Sequence, residues 1–170
     1  HRYLGFTSLR EPGDVAAEDR WAHFSGKSRT RHTQDLIDLW LSGPHYPPLT
    51  LHAYGLPLSI PRWLTVANLR ILLGFMPDNE YEREFVNHDI HLCLSQMEGF
   101  GHYINEARAV GALIVGIDAP PMNELLDRSS AVLVAPEKSI PHYAGLRFIA
   151  SPGSIARSEE HMSELQSRLH

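Results

Sequence analysis

A disulfide needs two cysteines, and this sequence of 170 residues has one, Cys93, so no intrachain bridge holds it together. Cys93 lies within the apolar run DIHLCLS, which marks it as a buried, inert thiol. No run approaches the roughly 18 to 20 apolar residues of a membrane span, and no charged-then-apolar leader opens the chain. A cytoplasmic protein without a transmembrane segment is the expectation. Positive charge is scarce as well: 15 Lys and Arg face 20 Asp and Glu, for a net charge of -5. The broad basic field of a nucleic-acid binder is missing, so nucleic acid is not an expected partner and any anionic ligand has to be held by local cations.

What is present is ordinary globular composition, with 43% hydrophobic and 21% charged residues, enough for one buried core and too short for two domains of common size. Residues 1–20 are polar and broken by EPGD, and read as a lead-in or linker continuing from something earlier. Strands and helices then alternate through 21–150. RWAHFSG (20–26) is a strand, KSRTRH a basic loop, and TQDLIDLWL a helix with Leu36, Ile37, Trp40 and Leu41 at helical spacing and Thr33 as N-cap. LTLHAY (49–54) is a second strand. NLRILLGF (68–75) is apolar enough for a third strand covered on both faces, and Pro77 and Asp78 open a helix after it.

DIHLCLS (89–95) is the fourth strand, followed by a helix over 101–111 ended by Gly111. A strand at 112–117, a short helix MNELLDR and a strand at 130–136 complete the series. The tail, 151–170, reads as a terminal amphipathic helix with Ile155, Met162, Leu165 and Leu169 on one side. This order predicts an α/β fold, an open parallel Rossmann-like sheet flanked by helices, with its ligand at the carboxyl ends of the strands.

Three loops fall at those ends. In MEGFGHYINEARAVG (97–111), Gly99 and Gly101 let the backbone turn and expose N–H groups, and the next helix directs its positive end at the same spot. Glu98 precedes the turn and Glu106 lies about one and a half helical turns beyond it, where carboxylates accept hydrogen bonds from sugar or ribose hydroxyls. The plain alternative is a solvated Glu106 and glycines that only close a turn. His102, beside them, is a further candidate contact. In GKSRTRH, Lys27, Arg29 and Arg31 are placed to neutralise a diphosphate, or else form a solvated basic turn; neither a Walker loop nor a G-x-G-x-x-G fingerprint is present. DAPPMNELL (118–126) offers Asn123 and Glu124 to a pocket, or is a helix start capped by Asp118 or Asn123. The eleven histidines are scattered; His88 and His91 straddle a strand start and no H-E-x-x-H occurs, so no metal site is expected.

Taken together, Ser95, Glu98, Gly99, Phe100, Gly101, Glu106, Ala107 and Gly111 resemble the E-x7-E signature of retaining glycosyltransferases with the GT-B fold, the group 1 or family 4-like enzymes. The resemblance extends back to SGKSRTRHTQDLIDLW and forward to APPMNELL. It implies the carboxyl-terminal, donor-binding half of a two-domain enzyme, whose partners are a nucleotide-sugar and an amino-terminal domain not present in this sequence. It also implies roles: Glu98, Gly99, Phe100, Gly101 and His102 at the donor sugar, Lys27 and Arg31 at the diphosphate, Glu106 at the ribose, and Phe75 and Met76 at the base. No cofactor or metal is implied, and the isolated chain is expected to be inactive or nearly so. Arg31 and His32 depart from the family's usual lysine followed by glycine or asparagine. A stand-alone nucleotide or sugar-phosphate binding module, a two-domain sugar-nucleotide epimerase and a domain that has lost its ligand are the competing classes.

Overall fold

The computed structural model describes residues 21–61, 66–126, 128, 131–143 and 145–158. The lead-in over 1–20 and the tail positions Met162, Leu165 and Leu169 lie outside the described residues.

Strands β1 (Trp21–Gly26), β2 (Leu49–Ala53), β3 (Leu69–Leu73), β4 (Ile90–Cys93), β5 (Leu113–Ile117) and β6 (Ala131–Val134) form one parallel sheet in the order β3-β2-β1-β4-β5-β6. Parallel neighbours require crossovers, which supply helices α1 (Thr33–Ser42), α2 (Asp78–Val86) and α3 (His102–Ala109). Residues 152–158 form a further short helix, α4, in which Ile155 is buried. β2 and β4 are buried along their whole length, which accounts for their unbroken apolar runs. Leu36, Ile37 and Trp40 of α1 face the core as their spacing predicts, and Phe24 anchors an aromatic cluster with Phe85 at 5.2 Å and Tyr81 at 5.3 Å.

Three local expectations are corrected. β3 is an edge strand with only Leu69 buried; its apolar run reflects position at the rim rather than cover on both faces. Thr33 does not cap α1: His32, in the left-handed conformation with φ 55°, is the N-cap, and the Thr33 hydroxyl is hydrogen-bonded to His23 Nε2 at 3.1 Å. The stretch after β5 makes a single 3-10 turn, Met122–Glu124, in place of a helix, and no side chain caps it. In addition, residues 138–149 form an antiparallel hairpin of β7 (Lys138–His142) and β8 (Gly145–Ile149), which no pattern in the sequence predicts.

Candidate functional site

In an open parallel sheet the ligand crevice opens where the strand order reverses, because adjacent crossovers leave in opposite directions there. Here that point lies between β1 and β4. Their ladder covers only two pairs, Trp21↔Ile90 and Ala22↔His91. Continuing that register would bond Phe24 N–H to the Leu92 carbonyl. The Tyr103 hydroxyl stands between them instead, accepting from Phe24 N–H at 2.9 Å and donating to Leu92 O at 3.2 Å. His23 Nδ1 donates to the same carbonyl at 2.8 Å. The strands are thus held apart by two side chains, and the gap opens toward their carboxyl ends. Burial lowers the pKa of His23 to about 3 and pushes that of the Tyr103 hydroxyl well above its usual value, so both are neutral wedges at physiological pH.

Charged side chains gather at the mouth of this gap. Arg31 folds back from the β1–α1 loop: its Nη1 donates to Phe24 O at 2.9 Å, its guanidinium lies 4.7 Å over the Tyr103 ring, and its Nη2 is 3.7 Å from Glu98 Oε1. Glu98 Oε1 also accepts from the buried Ser95 hydroxyl at 2.6 Å. Cys93, fully buried at the end of β4, senses the group: desolvation raises its pKa most, Arg31 opposes the rise, and Glu98 and Glu106 add to it. Arg31 and Glu98 therefore meet at this strand end, and Glu106 of α3 is near enough for its charge to act on Cys93. Glu106 is half-buried, with no hydrogen bond or ion pair to its carboxylate among the described residues.

The glycine corner behaves unequally. Gly101 has φ 64° and caps α3, and a Cβ there would collide with Leu125 Cδ1. Gly99 lies outside the left-handed region and a Cβ on it would meet nothing. No side chain caps the start of α3. Phe100 and His102 are exposed, their rings 5.9 Å apart.

Lys27 is not in contact with this cluster; its Nζ lies 4.6 Å over the ring of Tyr54, at the end of β2. Tyr54 in turn meets Phe75 edge-on at 6.2 Å, and Phe75, 74% exposed, follows Gly74, whose carbonyl is hydrogen-bonded to His52 Nε2 at 3.0 Å. Met76 beside it is half-buried. The third candidate loop is occupied with itself: Asp118 accepts from Asn123 at 3.0 Å and from Arg128 at 2.8 Å, and Glu124 is exposed. Its contribution is to brace the corner, through Leu125 under Gly101 and the Leu125 carbonyl on Arg108.

Tyr103, His23, Tyr54 and Gln96 are site residues that sequence reasoning missed. Gln96 ties three pieces together: its N–H donates to Thr30 O, its carbonyl accepts from Phe148 N–H at 2.8 Å, and its side-chain oxygen accepts from Arg147. Only the helical spacing of Tyr103 hinted at burial. The partners of Gln96 lie on other elements.

A hollow of about 600 Å³ lies at the opposite, amino end of β2 and β3, lined by Pro48, Asn68, Arg70, Glu84 and His88, away from all of these groups. A smaller one of about 200 Å³, bordered by Ser28, Arg29, His32, Asp35 and Gln96, adjoins the β1–α1 loop. Convergent charge, rather than volume, identifies the crevice as the candidate site. No helix among the described residues is long and apolar enough to cross a membrane.

No protein-family model matches the chain, and no curated protein matches it in sequence. Solved structures do match in fold. The C-terminal domain of a glycosyl transferase group 1 family protein (LpcC) from Francisella tularensis superposes with a TM-score of 0.58 at 23% identity, over 91% of this chain and 79% of that one. Anabaena Alr3699/HepE, in a complex with UDP and glucose, gives 0.60 at 17% identity over 96% of this chain. Sucrose-phosphate synthase from Thermosynechococcus elongatus gives 0.59 at 15% identity over 94%. This chain spans 47% and 42% of the length of the latter two. The six-stranded parallel sheet with its flanking helices is the Rossmann-like half of a GT-B architecture.

Proposed function

We propose that this chain is the donor-binding domain of a retaining glycosyltransferase of the E-x7-E type, which moves a hexose from a nucleotide-sugar to an acceptor and works together with an amino-terminal domain. The observation that carries this reading is the meeting of Arg31 and Glu98 past the end of β4, at the strand-order reversal, with Glu106 on the helix that follows. A lone basic turn or a lone helix start would not bring a cation and a carboxylate together at one strand end.

In this reading the nucleotide-sugar enters with its diphosphate toward Lys27, Arg31 and the uncapped start of α3. Transfer breaks the bond from the anomeric carbon to the diphosphate, and the leaving oxygen takes up negative charge as it departs. Fixed cations and N–H groups stabilise that charge without reorganising, which is the largest contribution a protein makes to such a step. Arg31 reaches it by exchanging its contact with Glu98 and the β1 carbonyls for the diphosphate, a stronger anionic acceptor. Glu98 then turns to the sugar hydroxyls, held by Ser95, with Gly99, Phe100, Gly101 and His102 around the sugar. Glu106 accepts from the ribose, and Phe75 and Met76 flank the base. No metal takes part, and the chain by itself transfers little or no sugar.

Calorimetric titration with a panel of nucleoside diphosphates, UDP among them as the nucleotide found with HepE, and their sugar conjugates tests this, with and without divalent metal. The expected result is metal-independent binding of one base, weakened about tenfold or more in Glu106→Ala through loss of a charged acceptor. Unchanged affinity in that variant removes the ribose assignment, and no binding by the folded chain overturns the donor site as drawn.

A further inference from the structure

The β7–β8 hairpin has no part in the site above, yet it is fastened to it. Phe148 N–H donates to the Gln96 carbonyl, and the next turn of chain is held where Ala150 N–H donates to His32 Nε2 at 3.3 Å. The hairpin therefore rises beside the β1–α1 loop and the strand end that carries Glu98. Its pairing places Ile140 opposite Arg147, Lys138 opposite Ile149 and His142 opposite Gly145. Side chains alternate along a strand, so Lys138, His142 and Arg147 share one face, with Lys138 and His142 as the two diagonal neighbours of Arg147. Residues 138–149 contain no acid; the nearest in the chain, Glu137, precedes β7 and is exposed. In a chain of net charge -5 this is a local cationic surface.

Arg147 is the unusual member. It is half-buried, and its Nε, at 2.9 Å, and its Nη2 both donate to a single oxygen, Gln96 Oε1. Among the described residues it has no carboxylate partner. A neutral amide fixes the plane of a guanidinium without cancelling its charge, and leaves its remaining N–H groups for a second acceptor. That combination of fixed direction and uncompensated charge is what oxyanion recognition requires.

We infer that the Arg147 face of the hairpin, with Lys138 and His142, is a second anion site that takes the phosphate or carboxylate of a charged sugar, separate from the diphosphate cations Lys27 and Arg31. If the donor-domain reading holds, on which this last assignment rests, that charged sugar is the acceptor.

Two-dimensional NMR of the chain tests the site. Glucose 6-phosphate, glucuronate and, as a neutral control, glucose are titrated with and without saturating UDP, following the side-chain signals of Arg147 and Gln96. The anionic sugars are expected to shift them with UDP bound, and glucose is not. Preference between the two anions separates phosphate from carboxylate recognition. Arg147→Gln should weaken the response about tenfold or more. Lys138→Gln, which leaves the Gln96 anchor intact, should weaken it by a smaller factor, and this variant decides the matter if Arg147→Gln does not fold. An equal response to glucose, loss of the response on adding UDP or in Lys27→Gln, or no change in either hairpin variant overturns the site. Where UDP fails to bind, Lys27→Gln alone serves as the control, so failure of the donor reading is seen separately.

Discussion

His23 sits in the gap between the central strands, giving one ring nitrogen to Leu92 O and the other to Thr33. Only its neutral form fits, and burial lowers its pKa to about 3 from an ordinary 6.5. Between those values the unfolded chain binds a proton that the folded chain refuses. Stability from this residue is therefore complete above about pH 6.5 and falls as pH drops toward 3, with a slope of at most about 1.4 kcal/mol per pH unit. Urea unfolding at pH 7 and pH 5 should show the loss, and His23→Gln should reduce the difference between the two; an identical pH dependence in the variant would refute the account. His23 was legible in the sequence only as one of many scattered histidines, because its role depends on a carbonyl 69 residues away.

At the scale of elements, the start of α3 decides how the site is presented. Gly101 holds the left-handed turn that directs the helix into the crevice, with Leu125 beneath it. A side chain there pays for both the backbone conformation and the collision, so Gly101→Ala should cost about 1 to 3 kcal/mol. Gly99→Ala, with open space and no left-handed backbone, should change stability by no more than about 0.5 kcal/mol. Thermal melts of the two variants check this; equal losses would mean that the corner is shaped otherwise. The sequence treated both glycines alike, since spacing marks a turn but does not say which residue adopts positive φ. The hairpin escaped for a related reason. Its strands carry Pro141 and a half-exposed mixture of residues, so neither an alternating nor an apolar pattern stands out, and its bond to Gln96 joins segments far apart in sequence.

For the whole molecule, alternation of strand and helix was enough to specify a parallel sheet, and the glycine corner does follow its fourth strand, at the carboxyl ends. Strand order was not legible. NLRILLGF has the composition of a central strand and lies at the edge, because apolar content records burial on average and not neighbours. Lys27 and Arg31, four residues apart in one loop, part company for the same reason: one meets Tyr54 after β2 and the other Glu98 after β4.

β1 lies at the centre of the sheet, and its two neighbours arrive at very different times. β2 follows after one helix, whereas β4 begins only at Ile90, with the whole of β3 and α2 in between. A half-sheet β3-β2-β1 can gather from nearby segments, while joining β4 to β1 closes a much longer loop at a later stage and larger entropic cost. In pulsed hydrogen exchange during refolding, the amides of β2 and β3 should become protected before Phe24, whose N–H waits for Tyr103. Simultaneous protection would show that the sheet condenses as one unit. On an emerging nascent chain the seam that later becomes the crevice is then the later of the two edges of β1 to find its partner, and until α3 has been synthesised β1 offers that edge to any other extended strand nearby.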